Sequence, residues 1–440
     1  MHCTYLSHQN KYALYIFTIV RDADCYSCDH WCRASSASIC TVVPKKFKIV
    51  GVAEPFKVFR DQMIAEYGIS EENAFETWER VVNLEKRIAD VAIICTQDRM
   101  HKDPAIKLAN QGYHILLEKP MAVSYKDCCE IVEAVRMNDV IFGVCLILRY
   151  YPQYKKIKDL INEGVIGEVC NIQHCEPVGF WRFAHSYVRG HWRNESESSC
   201  SLLAKCCHDL DLITFWMGKE NPCVKISSFG SLMNFTKDHK PKGAANMCLS
   251  CPLSKECSYS AQKIYVDRAR EGQFEFQVSV VTKIRDMEDL MEQHETGPSG
   301  RCVYDCDNDV MSNQVVNMQF RNGATANLTM VGFTRKVGTR RTVISGTKGE
   351  ITCDFAEPVK VFDFLTEQIT EHEVCRGQWG KLGGHGGADF HLIQTLIDAV
   401  LAEDQSLIPT GPEETLESHH LVFAADQSRL ENKIIELHDG

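Results

Sequence analysis

The sequence predicts an α/β fold in two parts: a doubly wound parallel sheet, then a second α/β domain whose strands alternate as in an antiparallel sheet. Three observations predict it. Short apolar strands alternate with helical segments between Phe47 and Leu146, the pattern of a parallel sheet with helices on its faces. One of those strands, His114-Ile115-Leu116-Leu117, ends abruptly in Glu118-Lys119-Pro120, where proline stops the ladder and forces a turn. Beyond Val315 the pattern changes to period-two alternation broken by glycine turns.

The bulk numbers fit that outline. A chain of 440 residues can bury two sizeable cores, and 44% hydrophobic with 24% charged residues is ordinary for a globular protein. A net charge of -11 with no basic patch argues against a nucleic-acid partner. No apolar run approaches the roughly 18 residues of a membrane span. Tyr12–Val20 is apolar but short, with a weakly charged lead-in, so neither membrane partner nor secretion leader is expected. The 22 cysteines are spread through strands and helices, which reads as reduced, buried thiols in a cytoplasmic protein.

Residues 1–44 show no period. Order begins at Phe47–Ala53, a strand closed by Glu54-Pro55. Arg60–Tyr67 and Trp78–Arg87 have helical character, and Val91–Cys95 is a second apolar strand. Pro104–Asn110 reads as a helix stopped by Gly112, followed by the strand ending at Lys119, a helix over Tyr125–Met137 and the strand Val140–Leu146. Tyr154–Glu163 is an amphipathic helix and Val169–Glu176 an alternating strand. The spacing predicts further strands at Val315–Phe320, Thr325–Phe333, Arg341–Ser345 and Glu350–Asp354, then helices from Asp389 to Val400 and over Glu414–Leu437.

The run YHILLEKPMA (Tyr113–Ala122) resembles the EKP signature of the glucose-fructose oxidoreductase / inositol dehydrogenase (Gfo/Idh/MocA) family, NAD(P)-dependent enzymes acting on sugars and polyols. Several segments from about Lys45 onward follow that family's order. The resemblance implies a Rossmann-like domain over residues 45–148 and a substrate and oligomerisation domain over 149–440. That second domain would hold a large, open, mostly antiparallel sheet, a face for homo-oligomers, and a cysteine-bearing insertion at about 234–301. A lysine at the carboxyl end of a parallel strand lies where open α/β sheets bind ligands, and the resemblance makes Lys119 catalytic, with a Lys-Pro bond that is often cis. Glu54 would bond the adenosine ribose, favouring NAD over NADP. Thr96, Gln97, His101, Glu118 and Lys119 would border the cofactor.

The resemblance also implies the substrate side. His208 in SLLAKCCHDLDLITFWMG would take a proton near neutral pH, and Lys205 would position a neighbouring hydroxyl. The family pattern places an aspartate where this chain has Ala204, and a histidine where it has Leu146. Arg149, Asp209 and the aromatic, basic stretch GFWRFAHSYVRGHWRN, with Trp181, His185, Arg189 and Arg193, are substrate candidates; an Arg-aromatic packing cluster is the competing reading. His385, within a glycine run that opens a helix, joins them. Cys248-x-x-Cys251 with Cys257 has knuckle-like spacing for structural zinc, Cys302 or Cys306 completing the set; buried thiols or a disulfide are the alternatives.

Residues 1–44 lack the glycine-rich turn that lets backbone amides approach a pyrophosphate. Besides hydride transfer to or from a sugar or polyol, two other readings therefore stand, a non-catalytic sugar-binding relic and an NAD-dependent glycosidase. The genetic code offers a source for the missing turn. Read one nucleotide later, codons for Cys28-Asp29-His30-Trp31-Cys32-Arg33 can encode VIIGAG, so residues 22–44 are expected to be a frame-shifted turn. Sequencing the transcript tests this: codons compatible with the glycine reading are expected, and a continuous message whose codons exclude it contradicts the idea.

Overall fold

The computed structural model describes residues 13–19, 47–274, 277, 278, 281, 286–355, 357–374 and 387–437. The frame-shift expectation at 22–44 and the substrate role expected of His385 lie outside the described residues. The chain divides into two compact units: residues 1–168, 210–220 and 358–423 form the first, and 169–209, 221–357 and 424–440 the second. The division expected near residue 148 thus falls later, and the first unit recruits two distant segments. Their tie is specific: Gln405 accepts from Phe142 N (2.7 Å) and donates to Phe142 O (2.9 Å), and Val144 N donates to Thr410 O (3.0 Å).

The first unit holds strands β1 (Ala13–Ile19), β2 (Phe47–Ala53), β3 (Ala74–Phe75), β4 (Val91–Cys95), β5 (His114–Leu117) and β6 (Phe142–Val144), in the order β3-β2-β1-β4-β5-β6. Pairs β2–β3, β4–β5 and β5–β6 are parallel. All five side chains of β4 are buried, as a central strand between helical layers requires. Helices Lys57–Tyr67, Lys102–Asn110 and Tyr125–Met137 supply the crossovers. The helix expected over Trp78–Arg87 stops at Val82. The Tyr125–Met137 helix starts where expected because Ser124 caps it, its side chain accepting from Asp127 N.

Strand β1 was not foreseen. Leu14, Tyr15, Ile16 and Phe17 are all buried, and this apolar run fills the central slot between β2 and β4. It fills it backwards. Both of its ladders are antiparallel: Leu14 pairs with Ala53 and Ile19 with Phe47, while Ala13 pairs with Cys95. The start of β1 therefore lies level with the carboxyl ends of β2 and β4, and its end lies at the opposite edge of the sheet.

The second unit contains β7 (Val169–Pro177), β8 (Cys223–Ser231), β9 (Asn313–Phe320), β10 (Thr325–Val331), β11 (Arg341–Gly346), β12 (Gly349–Asp354) and β15 (Ile435–Glu436). They run in the order β12-β11-β7-β10-β9-β8-β15, with β7–β10 parallel and the ladders β11–β12, β11–β7, β10–β9, β8–β9 and β15–β8 antiparallel. Strands β13 (Val359–Asp363) and β14 (Ile369–His372) form a hairpin in the first unit. The insertion has its own core of Cys248, Ala261, Ile264, Tyr265, Ala269, Val278 and Leu290, into which Trp181 packs.

Candidate active site

In the first unit the carboxyl ends of β4 and β5 lie side by side, because Ile94 pairs with Leu117 and Glu118 N continues the ladder onto Ile94 O (2.9 Å). The chain then turns at Lys119, and the Lys119-Pro120 bond is cis. His101 ties the two turns together: Nδ1 lies 2.7 Å from Pro120 O and Nε2 lies 3.0 Å from Thr96 O. Burial lowers the pKa of this ring. Thr96 closes its own turn by donating from Oγ1 to Met100 O (3.2 Å), and Gln97 precedes the short helix there.

A second histidine holds the next residue. Met121 N donates to His419 Nε2 (3.0 Å), and His419 Nδ1 donates to Thr415 O (2.9 Å), which fixes the ring as the neutral Nδ1–H tautomer. Glu118 is buried, with Oε2 accepting from Lys119 N (3.1 Å). Burial pushes its carboxyl up to about 7 against the opposing pull of Lys119. Asp389, buried at the start of the helix Ala388–Ala402, contributes to the same upward shift.

The dinucleotide implied by the resemblance fits this edge only in part. The turns after β4 and β5 are present. Glu54 ends β2 but is fully buried, its Oε1 accepting from Phe56 N (2.9 Å), and Arg60 donates to Glu54 O. The pyrophosphate needs amides at the start of a helix that follows the central strand. Here that strand is reversed, so among the described residues no β1–turn–helix unit opens at this edge.

The second unit carries the other candidates. Lys205 and His208 stand three residues apart on the helix Ser201–Met217 and so share a face. Lys205 Nζ lies 3.2 Å from Glu176, a fully buried carboxylate on β7. Arg340 bridges Glu176 (3.0 Å) and Asp209 (2.6 Å), and His174 Nε2 lies 2.9 Å from Asp209. Burial alone would raise the Asp209 carboxyl, but Arg340 and His174 outweigh it and hold it well below the usual carboxylate range. Asp209 is therefore the buried anchor of an ionic network, and the substrate contact expected of it is corrected to a structural one. Glu176, His174 and Arg340 escaped the sequence reading. Their one signal was two ionisable residues, His174 and Glu176, on the inward face of an alternating strand.

Five other substrate expectations change for similar reasons. Arg149 in the first unit spends its donors on Asp211 (Nε to Oδ2 2.7 Å, Nη2 to Oδ1 2.8 Å) and on Pro409 O. Arg193 grips Asp307 with two 2.9 Å bonds and also pairs with Glu197. Arg189 is buried and donates to Arg301 O and Tyr259 O, both at 2.7 Å. His185 meets Tyr265 Oη at 2.8 Å, and Trp181 belongs to the insertion core. Of this stretch, Trp181, His185 and Arg189 pack against the insertion. At Cys248, Cys251 and Cys257, where zinc was expected, as elsewhere among the described residues, no group of three His, Cys, Asp or Glu is arranged to hold a metal ion. Arg189 Nη2 instead lies 3.4 Å from Cys248 Sγ.

The His419 tie makes a pH prediction. Its pKa is pushed down by burial to about 4 from 6.5, so the unfolded chain binds the extra proton first as pH falls. This contribution is complete above pH 6.5, declines as pH falls toward about 4, and is constant below that. The shift corresponds to about 3 kcal/mol. Urea unfolding across this range should show His419→Gln to be less stable near pH 8 but with a shallower fall on acidification. An unchanged slope would contradict the tie.

No helix among the described residues is long and apolar enough to cross a membrane. Residues 36–146 match the oxidoreductase family with an NAD-binding Rossmann fold, and residues 158–437 match that family's C-terminal alpha/beta domain. The chain is 25% identical to the putative oxidoreductase YteT of Bacillus subtilis over 74% of its own length and 75% of that protein's. It is 28% identical to a scyllo-inositol 2-dehydrogenase (NAD(+)) of the same organism, over 42% of this chain and 51% of that one. A solved levoglucosan dehydrogenase in complex with NADH and levoglucosan shares the fold, with a TM-score of 0.64 at 15% identity over 88% of this chain and 89% of that one. Matched over both parts of its length, the chain belongs to the Gfo/Idh/MocA oxidoreductase family.

Proposed function

We propose that this chain carries the substrate site of a sugar or polyol oxidoreductase, in which nicotinamide supplies or accepts the hydride at a secondary alcohol carbon. The observation that carries this reading is Lys119, set at the carboxyl end of β5 in a turn pinned by His101 and His419. A lysine held there donates to the reacting oxygen and stabilises negative charge as it develops. His208 takes the hydroxyl proton. Lys205 bonds a neighbouring hydroxyl, its ammonium oriented by Glu176 (3.2 Å). NAD is favoured over NADP, because Glu54 ends β2 and Arg60 is occupied by the carbonyl of Glu54.

A second reading, a sugar-binding relic of such an enzyme, is favoured by one observation, the reversed β1. The two readings share a substrate site and differ in whether this chain holds dinucleotide.

Thermal denaturation against a panel of aldoses, inositols and anhydrosugars tests the shared site without requiring cofactor. At least one polyol should raise the melting temperature saturably, and Lys119→Ala should abolish that rise while leaving the ligand-free melting temperature within a few degrees. Failure of every sugar and polyol to shift the unmutated chain, or an undiminished shift in K119A, would overturn the reading.

A further inference from the structure

The insertion of the second unit encloses a cavity of about 30 Å³ that the oxidoreductase site does not use. Arg189, Ser260, Cys248, Cys251, Cys257 and Cys302 line it, and the rest of its wall is mostly apolar. Local structure places them there. Cys248 N donates to Gly300 O and Cys302 N to Asn246 O, both at 2.8 Å, so two distant segments run side by side. Ser260 N turns back onto Cys257 O (3.2 Å), just before the helical turn Gln262–Val266. The four cysteines are free of disulfides.

Arg189 and Ser260 are each only 1% exposed, and both bring an unused donor. Arg189 donates from Nε to Arg301 O and from Nη2 to Tyr259 O (2.7 Å each), and Nη2 also lies 3.4 Å from Cys248 Sγ. Its Nη1 is buried with no hydrogen-bond partner among the described residues, and so is Ser260 Oγ. A guanidinium taken out of water needs negative charge nearby. The ionisable groups that act on it most, Cys248, Tyr265 and Cys306, supply none at neutral pH. Burial pushes the Tyr265 phenol up to about 12 and the Cys306 thiol up to about 11. Cys248 Sγ lies 3.7 Å from Arg301 O, a contact in which a thiol donates and a thiolate cannot. The carboxylates flanking Cys306 are committed elsewhere, Asp305 to Lys240 (2.8 Å) and Asp307 to Arg193 (2.9 Å) and Arg301 (2.8 Å). His294, with Nδ1 2.7 Å from Leu290 O, is held neutral by burial, and Arg189 adds to that effect.

We propose that this cavity binds one small monovalent anion, of the size of chloride or bromide, between Arg189 Nη1 and Ser260 Oγ. Size sets the class of ligand. On a scale where one water needs about 10–15 Å³, the cavity has room for about two, which admits a halide and excludes sulfate, phosphate esters and sugars. The guanidinium supplies the opposite charge and the serine hydroxyl a second donor, each otherwise left unmatched in an apolar wall. No covalent bond forms or breaks. The anion has a structural consequence. Arg189 stands on the stretch that follows β7, and its carbonyl partners Tyr259 and Arg301 lie in the insertion, so neutralising its charge stabilises the contact that closes the insertion. A ligand bound by the folded chain alone raises stability by mass action.

The test uses the full chain, refolded from denaturant into chloride-free sodium gluconate and titrated with sodium bromide at constant ionic strength. The melting temperature should rise saturably with bromide. Ser260→Ala should move half-saturation about tenfold higher, the worth of one hydrogen bond to a charged partner. Arg189→Met removes the charge that needs matching and should make the melting temperature independent of bromide. Crystals grown in sodium bromide should show an anomalous bromine peak within hydrogen-bond reach of Arg189 Nη1. A flat melting temperature for the unmutated chain, an unchanged half-saturation in S260A, or a cavity that holds only water in those crystals would each overturn the proposal. If R189M fails to fold, S260A and the anomalous peak decide. Neither readout depends on sugar binding, so this proposal and the oxidoreductase reading fail separately.

Discussion

The turn that follows β5 is the constraint on which the first unit depends. Proline removes a ladder donor there, and the chain must leave the sheet with a charged lysine at its edge. Two histidines from different parts of the chain fix the exit: His101 at the start of one crossover helix and His419 on the helix Pro412–Glu431. Each contacts the backbone just after Lys119, Pro120 O in one case and Met121 N in the other, while Glu118 N on Ile94 O holds the chain just before it. Both rings are buried and hence neutral, which places no extra cation beside the lysine. Pinning the main chain in this way fixes where the side chain of Lys119 starts.

The second unit solves a related problem by electrostatics. Lys205 is partly exposed, yet its partner Glu176 is fully buried. An isolated carboxylate there would be costly, and removing one partner of a buried ion pair typically costs about 3–5 kcal/mol. Arg340 shares itself between Glu176 and Asp209, and His174 completes the set, so the negative charge behind Lys205 is balanced within the sheet. Arg149 and Asp211 form a comparable pair in the first unit.

Much of this was legible in the sequence where local chemistry and burial agree. The strand ending in Glu118-Lys119-Pro120 carries its apolar run and its terminator in seven consecutive residues, and it lies where expected. The helix Tyr125–Met137 has its cap in Ser124. The alternation of Val315–Phe320 and its successors fixed the second sheet because period two has one meaning in an exposed-face strand. The site was less legible, since pairing across long sequence distance leaves no local mark. Nothing near Arg149 announces that Asp211 and Pro409 will use its donors, and nothing near Arg189 announces Tyr259 or Arg301. An arginine among aromatic residues looks the same in sequence whether it faces a sugar or fills a core.

Strand β1 is the least legible element and the most consequential. Its apolar run suits any central strand, and only its pairing shows that it enters from the wrong end. Lys119 at the end of β5 and the Lys205–Glu176 pair each belong to their own unit, and residues 20–46, which follow β1, lie outside the described residues. Fluorescence titration of this chain with NADH, with NADPH in parallel, tests the oxidoreductase reading most directly. The account predicts saturable binding of NADH in the micromolar range, tighter than that of NADPH. Absence of saturable binding for both would contradict it.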